Sequence, residues 1–219
     1  MTVLGCLIVG RCTANSFVDD VDFEDYLLKN DPGIVYYGMG YDPDTNVGYV
    51  NNEEVQSVED LEQEDVVVLK GKLVEGFRRE KYYECILSQV EVVECYSGAL
   101  HAGDQIHMFE PVDCRMKEQM HCTDGYSVMQ NGKEYILFLK QLQNTYFGSG
   151  AYVYAPVSTC YGKYPVDHNQ PVRFTNNELE EIEKLHPYSQ MKDMEVYLYD
   201  EKEYEKYLEL KNQVLDKYQ

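Results

Sequence analysis

The chain has no tryptophan, few basic residues, and none of the short motifs that announce a catalytic centre. Lys and Arg total 19 against 39 Asp and Glu, so the formal charge is 19 − 39 = −20. A protein that grips a phosphate backbone, or an anionic membrane surface, through charge needs a basic footprint. The sole small basic cluster is Arg78, Arg79 and Lys81. Charge-driven nucleic-acid binding is therefore excluded, and the acidity itself reads as a solubility feature. No CxxC pair occurs, which excludes a zinc ribbon and a thioredoxin-like motif. GxSxG, HExxH, Walker and dinucleotide fingerprints are also missing, as are internal repeats and low-complexity segments. The carboxylates are too many for one pair to stand out as acid and base.

What is present is globular. Of the 219 residues, 44% are hydrophobic and 13% aromatic, enough for a substantial core in one domain with an appendage or in two small domains. The aromatics are 21 Tyr and 7 Phe, and Tyr favours strands and half-buried surfaces. The seven cysteines are odd in number, which argues against a complete disulfide framework. The apolar run Thr2–Gly10 is too short to span a bilayer and reads in two ways. It resembles the tail of a signal segment, with Val3-Leu4-Gly5-Cys6 similar to a lipobox and Cys6 as the acylated residue; equally, it fits a buried first strand.

The hydropathy pattern gives a short helix over 19–29, stopped by Asp31-Pro32-Gly33, and a strand from Ile34 to Met39. A turn-rich stretch from Asp42 to Gly48 then leads to Tyr49-Val50, as in a hairpin. Ser57 to Asp60 is a capping box. From Asp65 short apolar segments alternate with turns. One strand starts at Val66 and bends at Gly71, and a long one runs from Tyr82 to Cys95 with a bulge expected near Gln89. Further strands span Gln105–Phe109, Tyr135–Leu139 after the Asn131-Gly132 turn, and Ala151–Val157. Helical signals return at Thr175–Pro187 and from Asp200 to the end, with a short strand over Met194–Tyr199 between them.

The segments "DVVVLKGKLVE", "YYECILSQVEVVECYSG", "LHAGDQIHMF" and "NGKEYILFLKQL", in that order, resemble the OB-fold modules of bacterial extracytoplasmic proteins that are similar to tissue inhibitors of metalloproteinases and netrin-type modules. Gly98, Ala102 to Ile106, Gly132 to Tyr135 and Phe138-Leu139 carry the resemblance, which covers about residues 65–140. It implies a small, nearly closed five-stranded barrel. It does not imply protease inhibition, because the animal inhibitors begin Cys-x-Cys and here Cys6 and Cys12 are separated by five residues within and beyond an apolar run. The expected fold is thus α+β, mainly β: an OB-like five-stranded antiparallel barrel at 65–170. A possible remnant of a signal or anchor segment at 1–18 and an α/β extension at 19–64 precede it, and a helical cap at 171–219 follows.

Candidate sites remain sparse. Asp42, Asp44, Asn46, Gly48 and Glu53 space oxygen ligands as a calcium loop does, although Val47 stands where the sharp turn wants Gly and Pro43 intrudes; ordinary turn chemistry explains the same residues. His107, Cys114, His121 and Cys122 supply two imidazoles and two thiolates, a zinc donor set at non-standard spacing. Cys114 and Cys122 alternatively form a disulfide across a loop. Cys85 and Cys95 lie on one strand, too far apart to bridge, and read as core thiols. Cys160 with His168 is a formal nucleophile pair. Tyr146, Tyr152, Tyr154, Tyr161 and Tyr164 offer either a recognition surface or strand packing. These residues name no cofactor and favour a non-enzymatic, extracytoplasmic binding or interaction module. Its partner would be another protein, and its only route to a membrane an N-terminal lipid or signal anchor. The alternatives are a small metal- or thiol-dependent hydrolase built on the His107–Cys122 region, and a cytoplasmic location.

Overall fold

The computed structural model describes residues 22–37, 52–114, 116–142, 153–167, 172–173, 186–198 and 200–219. Helix α1 (Phe23–Asn30) opens on Asp22, whose carboxylate accepts from the Asp25 amide (3.0 Å), and closes on Asp31 in the left-handed conformation. Strand β1 (Gly33–Tyr37) follows, and Val58–Asp60 forms a single 3-10 turn with its capping box in place. The barrel strands are β2 (Val66–Leu73), β4 (Cys85–Ser97), β5 (Gln105–Glu110), β8 (Glu134–Leu142) and β9 (Val153–Pro156), with β3 (Glu80–Tyr82) as a hairpin arm on β4.

These five strands close on themselves in the order β2-β4-β5-β9-β8 and back to β2. Four of the pairings are antiparallel; β5 and β9 run parallel, so the OB-like barrel is mixed. Closure removes the exposed ladder edges that an open sheet of this size would carry. The interior is filled by Leu69, Val90, Val92, Ile106, Met108, Leu137 and Leu139 among others. Gly71 permits the tight curvature: a Cβ there would lie 2.7 Å from Val90 Cγ1 and 2.9 Å from Leu69 Cδ1.

The bulge expected near Gln89 lies elsewhere. Pairing of β4 with β5 is continuous from Ile86↔Glu110 to Glu91↔Gln105, whereas pairing with β2 slips twice, leaving Val93 and Tyr96 as the extra residues. Both parities of β4 are apolar around Gln89 because both faces are covered there, Val90 inside the barrel and Leu87 outside it, and not because the strand reverses.

A second sheet was not legible in the sequence. Strands β6 (Val112–Asp113) and β7 (Gln119–Thr123) join β1 and β12 (His186–Pro187) in the order β12-β1-β7-β6, with β1 and β7 parallel from Gly33↔Gln119 to Tyr37↔Thr123. Phe23 and Tyr26 of α1 pack against Met120, Cys122 and Ile34 of this sheet. The Tyr49-Val50 partner expected to form a hairpin with β1 lies outside the described residues, as does the helix expected over Thr175–Pro187 up to position 185; His186 and Pro187 are strand, not helix.

Strand β10 (Lys163–Pro165) shares the far edge of β8 with β9, and β11 (Val172–Arg173) pairs with β13 (Tyr197–Leu198). A one-turn helix α2 (Tyr188–Met191) leads to β13. Helix α3 (Glu201–Tyr218) starts on Asp200, whose carboxylate accepts from the Lys202 and Glu203 amides, and docks on the barrel. Tyr207, Leu210 and Val214 lie against Val66, Val68, Ile136 and Phe138. Among the described residues no helix is long and apolar enough to cross a membrane.

Candidate functional site

The residues singled out by spacing do not converge. His107 stands on barrel strand β5, where its ring packs edge-on to Phe77 with centroids 5.8 Å apart. His121 and Cys122 are neighbours on β7 in the other sheet, so they face opposite ways. Cys122 and Cys114 are both in the core, while His121 is half-buried with Nε2 3.4 Å from Gln119 Oε1. Among the described residues no group of three or more His, Cys, Asp or Glu side chains is placed to hold a metal ion. Cys114 and Cys122 share one core cluster, yet Cys122 is a free thiol, as are Cys85, Cys95 and Cys160, so the expected Cys114–Cys122 disulfide is not formed. Burial pushes the Cys122 and Cys160 thiols well up, and Cys85 to about 12, which leaves them poor nucleophiles at neutral pH. Glu53 is exposed, whereas Asp42, Asp44, Asn46 and His168 lie outside the described residues. Tyr154, Tyr161 and Tyr164 are buried core residues, so the tyrosine stretch is packing in its described part; Tyr146 and Tyr152 lie outside it.

Two constellations do assemble, and the first is internal. Glu110, fully buried at the end of β5, accepts from Arg79 Nη1 (3.3 Å), the Tyr126 hydroxyl (3.2 Å), the Met129 amide (2.7 Å) and the Ser88 hydroxyl. Arg79 lies over the Phe23 ring and donates to Glu24 of α1 (2.7 Å) and to the Met129 carbonyl (3.0 Å). Burial alone would lower the guanidinium's pKa, and the flanking Glu110 and Glu24 more than reverse that. Further along, Lys163 of β10 is 5% exposed, with Nζ 4.9 Å from the ring centroids of both Tyr126 and Tyr135. Its ammonium is pushed down to about 8 by burial, against the pull of Glu110 and Glu195. Glu195 in turn accepts from Lys211 of α3 (2.8 Å) and from the Tyr207 hydroxyl (3.1 Å). Burial raises the Glu195 carboxyl, and Lys211 opposes it. The Glu110 and Arg79 groups are saturated with partners, so they tie α1 to the barrel and leave little for a ligand to engage, while Lys211 ties α3 to Glu195 ahead of β13.

The second constellation is external. Tyr82↔Cys85 closes the hairpin of β3 and β4 around the two residues Tyr83-Glu84. In such a loop the first position usually asks for glycine, because it needs positive φ. Here it is Tyr83, with φ 52° and a side chain 76% exposed. Holding a tyrosine in this conformation costs on the order of 1–2 kcal/mol. The ring stands edge-on to Tyr82 (5.0 Å, 83°), and Tyr82 stacks on Phe109 of β5 (5.0 Å, 21°). Leu87, Phe109 and Val153 form the apolar bed on this outer face, with Tyr82, Cys85 and Leu142 packed at its margin. An aromatic ladder therefore runs from the strained tip down to the barrel wall.

Sequence reasoning passed over Tyr83. The tripeptide Tyr82-Tyr83-Glu84 contains none of the residues that mark a turn, and a positive φ leaves no trace in composition. The adjacent Tyr pair, followed at once by the long β4 pattern, was the available signal. No family model matches the chain, and no curated protein is significantly similar to it.

Proposed function

We propose that this protein is a non-enzymatic binding module whose contact surface is the β3–β4 hairpin tip and the outer face of β4 and β5. The observation that carries this reading is Tyr83: a large, exposed aromatic held in a backbone conformation that favours glycine. Strain kept at an exposed position without a stability benefit is the pattern of a residue retained for contact. The barrel resembles OB-folds, in which the second and third strands, with the loop joining the first to the second, form the common binding face. Those elements here are β4, β5 and the segment that ends in the hairpin. The partner is another protein, and its contact is made by amphipathic rings rather than by a metal or a thiol.

The module acts outside the cytoplasm in this reading, on the strength of the Thr2–Gly10 run and Cys6, which lie outside the described residues. Cys85, Cys95, Cys122 and Cys160 are free thiols, so an exported form would carry reduced thiols at these positions. Site-specific photo-crosslinking tests the surface. A photoreactive residue at position 83 should give a discrete adduct in producing cells, while the same residue at Leu28, which is 84% exposed on α1, should not. Equal labelling at both positions, or none at position 83, would contradict the assignment.

A further inference from the structure

We propose that Lys163, set between two tyrosine rings towards one end of the barrel, is a covalent binding site for small uncharged aldehydes, which its amine captures as an imine. The site lies apart from the hairpin surface and does not depend on it. Strand β10 takes over the edge of β8 where β9 leaves it: Leu139 pairs with Pro156 of β9, and Leu137 with Lys163. Directly opposed residues share a face of the sheet. Leu137 and its neighbour on that face, Tyr135, lie in the barrel interior, so Lys163 projects to the same side. The stretch 126–129 closes this end, with Met129 in the interior cluster and the Tyr126 ring centroid 4.9 Å from Nζ. The mouth of a barrel is a common place for a ligand.

Two other buried cations are matched by carboxylates: Arg79 by Glu24 and Glu110, and Lys211 by Glu195. Lys163 is as deeply buried, yet among the described residues its Nζ contacts no carboxylate or other hydrogen-bond acceptor, only the two ring faces. A methionine would fill this space without desolvating an ammonium, so packing does not account for the amine. An amine so placed sheds its proton readily. Burial lowers its pKa from 10.5 to about 8; Lys133 adds to the shift, and Glu110 and Glu195 oppose it. The neutral amine is the nucleophile. Having given one proton to solvent, Nζ bonds the carbonyl carbon through its lone pair. Its two remaining hydrogens leave with the carbonyl oxygen as water, an imine remains, and water can hydrolyse it back. The tyrosine walls suit a short apolar chain, while Glu110, Glu195 and the formal charge of −20 disfavour an anionic carbonyl compound.

The test treats the full chain at pH 7 with propanal and cyanoborohydride, whose hydride fixes the imine as a secondary amine, and reads the labelled lysines by peptide mapping. The lowered pKa raises the neutral fraction of Lys163 at this pH by roughly 300-fold. Burial slows access, and Lys163 should still be labelled at least about ten-fold faster than the exposed Lys202. Its rate should level off above pH 8, while that of Lys202 climbs to pH 10. The advantage should vanish in the urea-unfolded chain, and Lys163→Met should remove the fast site while leaving Lys202 unchanged. Labelling of Lys163 no faster than Lys202, or a Lys163 rate still climbing at pH 10, would leave the residue a buried cation held by ring faces and overturn the proposal. Pyridoxal phosphate, a bulky anion, should spare Lys163; labelling as fast as with propanal would overturn the assigned ligand class.

Discussion

The barrel has two outer faces with apolar clusters of different size, and they are finished differently. On the face of β2 and β8, Val66, Val68, Ile136 and Phe138 lie under Tyr207, Leu210 and Val214 of α3. The chain supplies its own cover there, and it fastens the cover with the buried Glu195–Lys211 pair and with Lys217 on Glu62 (2.7 Å). On the face of β4 and β5, Leu87 and Phe109 are followed outward by Tyr82 and then by Tyr83, an exposed ring in a strained backbone. The first face is organised to stay closed. The second holds an aromatic in water on a strained backbone, the feature on which the proposed contact surface is built.

If the contrast is right, substitutions on the covered face must cost stability and those at the hairpin tip must not. The largest effect is expected for Phe138→Ala. The side chain is fully buried and touches the rings of Tyr164 and Tyr218, so about 4 kcal/mol should be lost in urea unfolding. Glu110→Ala comes next. It strands the Arg79 guanidinium in the interior and should lower stability by about 3 kcal/mol, whereas an effect below about 1 kcal/mol would show the network to be dispensable.

Lys163 provides a pH signature inside the cross-tied region. Its pKa falls from an ordinary 10.5 to about 8 on folding, so between these values the unfolded chain binds the extra proton. Stability attributable to this residue is therefore lowest below pH 8 and rises as pH climbs towards 10.5. The stability of wild type relative to Lys163→Met should increase by up to about 3 kcal/mol across that window, and a flat difference curve would refute the assignment. A smaller effect is expected at Tyr164, whose hydroxyl is buried without a hydrogen-bond partner. Tyr164→Phe should be neutral or should stabilise by about 1 kcal/mol, because it removes an unsatisfied polar group and keeps the packing.

The elements legible in the sequence were those whose signals are local. The helical signal from Asp200 to the end corresponds to α3, which Asp200 caps. Asn131-Gly132 placed the entry to β8, with Gly132 at φ 78°. The alternating segments from Asp65 to Val157 gave the barrel. What failed to show depends on distant partners. Strand β7 becomes a strand by lying parallel to β1, which is more than eighty positions earlier in the chain, and its His121-Cys122 pair imitates a metal motif while serving the second core. Arg79 and Glu110 find each other across 31 positions with no motif to announce them. Tyr83 owes its importance to a backbone angle, and backbone angles at non-glycine turns are set by the hairpin around them.

The most direct test of the central claim compares the unfolding of Tyr83→Gly, Tyr83→Ala and wild type in urea. A ring kept for contact at a position suited to glycine predicts that Tyr83→Gly is at least as stable as wild type and about 1 kcal/mol more stable than Tyr83→Ala, while losing partner binding. A Tyr83→Gly protein that is clearly less stable than wild type and no better than Tyr83→Ala would make the ring a structural staple and contradict the account.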